Sequence, residues 1–141
     1  MAYEILPHTG DLRVRLTGKT KAGLFQSALK GMFAAAGPRY VNDVEPENRV
    51  IQERHFSVEG ASAEDILVNL LNEAISLSDI HHESYEDIKF SLVTDAKAEG
   101  YFVDRAVRGF DTQIKAATHH NLSLQKREDT GEWEATVTFD V

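Results

Sequence analysis

Carboxylates near both ends of the chain are the residues best placed to do chemistry. Trp133, Ala135, Val137, Phe139 and Val141 share one parity; Glu134, Thr136, Thr138 and Asp140 share the other. That period of two predicts a half-buried β-strand, with Asp140 and the carboxylate of Val141 held together at its end and the Val141 side chain on the apolar face. Adjacent carboxylates repel each other unless a cation or hydrogen-bond donors lie close. The strand end is therefore a candidate hard-cation site. His8-Thr9-Gly10-Asp11 reads as a tight turn leading into another strand. There Asp11 offers a third carboxylate and His8 braces it. The plainer alternative is a turn whose Asp and Thr satisfy local backbone donors. Oxygen ligands of this kind suit Ca²⁺ or Mg²⁺.

Lys115-Ala116-Ala117-Thr118-His119-His120-Asn121-Leu122 gathers an amine, a hydroxyl, two imidazoles and an amide. Such a cluster could bind a phosphate or a partner's loop. On a strand, His119 and His120 point to opposite faces and cannot share one metal without a bulge. His81-His82 follows a helix and reads as solvated surface that complements its C-terminus. Zinc is excluded on ligand grounds: there are six His, but no Cys and no HExxH. No Walker A loop, GxGxxG turn or Ser-His-Asp spacing is present, so no catalytic residue is assigned.

These residues need a scaffold. Leu12, Val14 and Leu16 alternate with Asp11, Arg13, Arg15 and Thr17, which predicts a strand ending at Gly18. Thr20 is placed to cap a helix with Leu24, Phe25, Ala28, Met32 and Phe33 on its apolar face, stopping at Gly37-Pro38. Tyr40 to Asn48 reads as a polar loop and Val50 to Val58 as a strand. Ser62-Ala63-Glu64-Asp65 is a loose capping box for a second helix, whose apolar face is Ile66, Leu67, Leu70, Leu71, Ala74 and Ile75. Ile88–Val93 and Gly100–Val103 read as strands, and Ile114 to Lys126 holds two short strand-like pieces. Asp129-Thr130-Gly131 is a turn into the last strand, which Trp133 anchors at the core edge. The order βαβα followed by strands gives an α+β expectation, with two helices on one sheet.

The totals narrow the function. At 141 residues the chain suits one domain, 1–141, with its own core. With no Cys, disulfides and thiolate chemistry are excluded, compatible with a reducing cytoplasm. The N-terminus lacks the basic start and apolar stretch of a signal peptide, and no apolar run approaches a membrane span. A net charge of −8 argues against strong direct binding to a phosphate backbone. It fits a cation binder, or a protein that docks on a basic partner.

Three segments together resemble the archease family. His8-Thr9-Gly10-Asp11-Leu12 resembles its HTAD-I/L opening. Lys115 to Leu122 is similar to its KAxTYHxL segment, and Trp133 to Val141 to its terminal W-x-A-x-V-x-FD-[IV]. Leu67 to Glu73 fits its second helix. Gly10 stands where the family usually has Ala, and His119 where it usually has Tyr. The resemblance implies an α+β fold with a mixed sheet and packed helices. It implies a small non-enzymatic cofactor of the GTP-dependent RNA ligase of tRNA splicing, acting in the cytoplasm. Such a protein assists guanylylation of the ligase's histidine and lets it turn over repeatedly. The family's metal ligands fall on Asp11, Asp140 and Val141, with Ca²⁺ the first expectation and Mg²⁺ or Mn²⁺ the others. His8, Lys115, Thr118, His119 and His120 are then the residues facing the partner or bracing the ligands. The alternative is a small metal-dependent phosphohydrolase or phosphotransferase, with Asp11 and Asp140 on the metal and His8 or His119 as base.

Overall fold

Apolar residues at every second position make the strands, and a capped 3.6-residue period makes the two helices. The computed structural model describes residues 2–7, 10–41 and 50–141. Strand β1 (Ala2–Leu6) pairs antiparallel with β2 (Leu12–Gly18), where Leu12, Val14 and Leu16 are buried. Helix α1 (Lys21–Ala36) opens on Thr20, whose hydroxyl accepts the Gly23 N–H at 2.9 Å. A cap of this kind contributes roughly 1 kcal/mol. The helix closes on Gly37, whose φ of 67° lets its N–H reach the last turn.

The polypeptide then runs through β3 (Pro38–Tyr40), β4 (Glu53–Glu59) and α2 (Ala63–His81). Helix α2 is capped by Ser62, which accepts the Asp65 N–H at 3.2 Å. All six residues expected on its apolar face are buried. The His81–His82 end is exposed, with His82 left-handed (φ 55°) and its N–H bonded to Ser78. The hairpin β5 (Glu83–Val93) and β6 (Lys97–Phe110) follows, then β7 (Ala116–Thr118), β8 (Gln125–Lys126) and β9 (Trp133–Asp140).

Among the described residues the strands form two sheets. One has the order β1-β2-β9-β7, with β8 also on β9; the other has the order β3-β6-β4, with β5 on the other side of β6. Every pairing is antiparallel. The α+β class stands, while the single mixed sheet is corrected to two antiparallel ones. Helices and inner sheet faces share one continuous apolar cluster. In it Phe102 stacks between Phe56 (4.7 Å) and Tyr85 (5.1 Å), and Phe33 meets Tyr85 edge-on at 5.6 Å. Truncating a fully buried residue such as Leu70 to Ala would cost about 2–5 kcal/mol.

Several element boundaries differ from the sequence reading. Helix α1 is followed by a short strand, not directly by a loop, because Pro38–Tyr40 pairs with the far end of β6; residues 42–49 of that loop lie outside the described residues. Strand β4 begins at Glu53, leaving Val50 and Ile51 exposed. Strands β5 and β6 are far longer than Ile88–Val93 and Gly100–Val103. Their extra lengths hold Glu83, Ser84 and Asp104, polar residues that are nonetheless buried. A period read from hydropathy stops at such residues, whereas the ladder does not.

Candidate functional site at the end of the first sheet

Register decides which carboxylates meet. Leu12 pairs with Phe139, so the next step outward on each strand brings Asp11 and Asp140 to one end of the first sheet. Both are exposed. Gly10, just before Asp11, has φ 124°, a region that glycine enters without steric cost. That accounts for Gly10 at a position where the family pattern has Ala. Residues His8 and Thr9 lie outside the described residues. Val141 follows the strand and is 41% exposed, so the apolar face ends at Phe139. The Val141 side chain, expected on the apolar face, is thus only partly covered.

The Lys115–Leu122 segment is fastened to the same end. The Lys115 N–H donates to the Asp140 carbonyl at 2.8 Å, and Ala116 pairs with Asp140. The Thr118 hydroxyl donates to the Thr138 carbonyl at 2.8 Å. Asn72 of α2 grips Ala117 from behind: its Oδ1 accepts the Ala117 N–H at 2.8 Å and its Nδ2 donates to the Ala117 carbonyl at 3.1 Å. His119 turns toward the start of α2, where its Nε2 lies 2.9 Å from Asp65 Oδ1. His120 turns the other way, with its Nε2 accepting from Asn121 Nδ2 at 3.3 Å. The two imidazoles are separated, as expected. The cause is a turn, not strand alternation, because β7 stops at Thr118 and Asn121 is left-handed (φ 53°). Trp133 sits at the core edge beneath Lys21 and Lys126, at 5.2 and 5.9 Å from its ring.

The described donors are two exposed side-chain carboxylates, Asp11 and Asp140, oxygen ligands of the kind that suits a hard cation. Among the described residues no three His, Asp or Glu side chains converge to hold a metal by themselves. A cation here would complete a shell of six to eight oxygens with water or a partner's groups.

A second group of ionisable residues lies inside the other sheet, and hydropathy reading missed it. Arg54 holds Glu83 with two parallel bonds, Nε–Oε1 and Nη2–Oε2, both 2.9 Å. The Tyr85 hydroxyl donates to Glu83 Oε1 at 3.0 Å, and Asp104 Oδ1 accepts the Gln52 N–H at 2.6 Å. Burial pushes the Asp104 carboxyl up, and its hydrogen bond to Glu83 adds to that. Burial also pushes Glu83 up, but its bonds from Arg54, Asp104 and Tyr85 outweigh that and hold it below its ordinary range.

Fold and sheet-end geometry together define a class: a small α+β protein with two exposed carboxylates at one end of a sheet. The fold matches protein 1598 of Methanobacterium thermoautotrophicum (TM-score 0.72, 19% identity, 99% of each chain). It also matches an archease of Thermotoga maritima, described as a possible chaperone (TM-score 0.64, 21% identity, covering 98% of this chain and 96% of that one). Similar sequences include the archease of Thermoplasma acidophilum, 30% identical over all of this chain and 94% of that protein. That of Methanopyrus kandleri is 29% identical over the whole of both. The model of the archease protein family (MTH1598/TM1083) matches residues 3–141, and the chain belongs to that family.

Proposed function

We propose that this protein is a non-enzymatic activator of the GTP-dependent RNA ligase of tRNA splicing. In this reading a divalent cation, Ca²⁺ first and Mg²⁺ or Mn²⁺ otherwise, is held by Asp11, Asp140 and a main-chain oxygen of Val141. The observation that carries the reading is the open carboxylate pair at the sheet end of an archease-family fold. Attack on a nucleotide α-phosphate is helped by metal ions that neutralise developing charge and hold the reacting groups in line. An acidic protein with an incompletely filled cation shell at an exposed edge suits placing or exchanging metal in another protein's basic site. Its charge of −8 would speed docking there. Lys115 and His120 lie beside the carboxylates and would face the partner. Thr118 and His119 brace the segment, through Thr138 and Asp65. His8 keeps its expected bracing role as part of the proposal.

The phosphohydrolase alternative needs a base beside the metal: His119 turns instead to Asp65 at the start of α2, and His8 lies outside the described residues. No helix of the described residues is long and apolar enough to cross a membrane, and the site of action proposed is the cytoplasm. The test is ligation under multiple turnover. Trace amounts of the protein should raise ligase guanylylation and turnover, while the protein alone leaves GTP intact. Hydrolysis of GTP by the pure protein at enzymatic rates would replace the activator with the phosphohydrolase.

A further inference from the structure

Two arginines alternate on the outer face of β2 and meet opposite fates. Arg15 bridges Glu4 at 3.4 Å and Glu134 at 3.3 Å, and Glu134 is also held by Arg127 at 3.0 Å. Arg13, two residues along, is exposed and has no hydrogen-bond or ion-pair partner among the described residues. It lines a cleft of about 430 Å³ with Leu6, Asp11, His120, Asn121, Thr136 and Thr138. A volume of that size suits a small ligand.

The cleft also has a gap in its floor. Strand β7 pairs with Thr138–Asp140 and β8 with Trp133 and Glu134. Residues 135–137 therefore lack a strand partner on that side. The carbonyls of Thr138 and Asp140 both turn toward β7, where they accept from Thr118 and Lys115. By the two-residue period of a strand, Thr136 turns its own N–H and C=O to the same side, into the gap. The cleft thus offers a guanidinium, a main-chain N–H, hydroxyls, an imidazole and an amide. Asp11 sits at one end as the opposing charge.

We propose that this cleft is a binding site for a phosphate group carried by a nucleotide or an RNA end, with Arg13 as the charged anchor. A guanidinium meets phosphate oxygens through paired, charge-assisted hydrogen bonds. The Thr136 N–H and hydroxyl and the His120 ring would take the remaining oxygens. The Asp11 carboxylate keeps the site weak until something neutralises it. The inference stands on Arg13 and the cleft walls, and not on the cation reading.

The experiment is titration of the full chain with inorganic pyrophosphate in EDTA, followed by amide NMR shifts. Expected are saturable shifts at Arg13, His120, Asn121, Thr136 and Thr138 that weaken as salt rises. Arg13→Gln should weaken binding about tenfold, the effect of losing one charge-assisted pair. Thr136→Val should weaken it severalfold, and Arg15→Gln should leave it unchanged. Far-UV circular dichroism confirms that each variant is folded. A nucleoside triphosphate and a 3′-phosphorylated dinucleotide are the two further arms, and the tighter of them names the source of the phosphate. No shift at millimolar pyrophosphate overturns the proposal, as does equal loss in the Arg13 and Arg15 variants. Ligase activation is read in the separate turnover assay, so failure here leaves that reading standing.

Discussion

The molecule contains two pairs of carboxylates, one in each sheet, and they are handled in opposite ways. Glu83 and Asp104 are buried and are closed off by Arg54, Tyr85 and the Gln52 N–H. Asp11 and Asp140 come together at a strand end, exposed, with no cation paired to either side chain among the described residues. Inside a protein an unpaired charge costs several kcal/mol, so the first pair is complete by necessity. Water tolerates the second as it stands, so its incompleteness costs little and leaves it available to a metal or partner. The two arginines of β2 repeat the contrast within one strand. A residue's partners, more than its type, separate the closed charges of this fold from the open ones.

The comparison breaks most readily at Arg54. Arg54→Ala leaves Glu83 buried without its counter-charge and should cost about 3 kcal/mol or more in urea unfolding. A loss below 1 kcal/mol would mean that water replaces the guanidinium and the pair is not closed. Asn72→Ala should come next, at about 2 kcal/mol, because it leaves the N–H and C=O of Ala117 without partners. Because Ala117 anchors the segment beside Asp140, the same variant should loosen the site, read as faster amide exchange at Ala116–Thr118.

The buried pair also makes a statement about pH. The Asp104 carboxyl is raised, so the folded protein keeps a proton that the unfolded chain releases as pH climbs above the ordinary aspartate value. Stability from this group is present in acid and is lost as pH rises through its raised pKa. Glu83 is lowered, so its contribution is present above the ordinary glutamate value and is lost as pH falls through its lowered pKa. Asp104→Asn keeps an acceptor for Gln52 and a donor for Glu83 without a titrating proton. Urea midpoints from pH 4 upward should therefore fall less in this variant than in the parent. Parallel curves would contradict a raised Asp104 carboxyl.

The smallest effect on stability belongs to the open pair. Asp11→Asn should change unfolding free energy by less than about 0.5 kcal/mol, as exposed substitutions do, while weakening Ca²⁺ binding in calorimetry. An extension of Gly and Ser after Val141 should likewise leave the fold intact and weaken Ca²⁺ binding, if a carboxylate at that position is a ligand. Combining it with Asp140→Asn should add little, since both act on one site.

How far the sequence could be read follows the same division. Helices and their caps were legible because Thr20, Ser62 and the apolar faces of α1 and α2 act locally. The strand end with Asp140 was legible because alternation from Trp133 to Phe139 needs no distant partner. The meeting of Asp11 with Asp140 rested on resemblance, since register between β2 and β9 is set over more than a hundred residues of chain. The Arg54–Glu83–Asp104 cluster was illegible. Its members lie on three strands, and each alone looks like a surface charge. The Asn72 clamp and the unpaired Arg13 were hidden too, because only a structure tells which polar groups have partners.

Service of the open carboxylate pair to a partner ligase is tested most directly by multiple-turnover ligation with trace amounts of the parent protein or of Asp140→Asn. The account predicts that the parent drives many ligase turnovers and that the variant, folded and equally stable, drives few. Full activation by the Asp140→Asn and Asp11→Asn variants alike would contradict it.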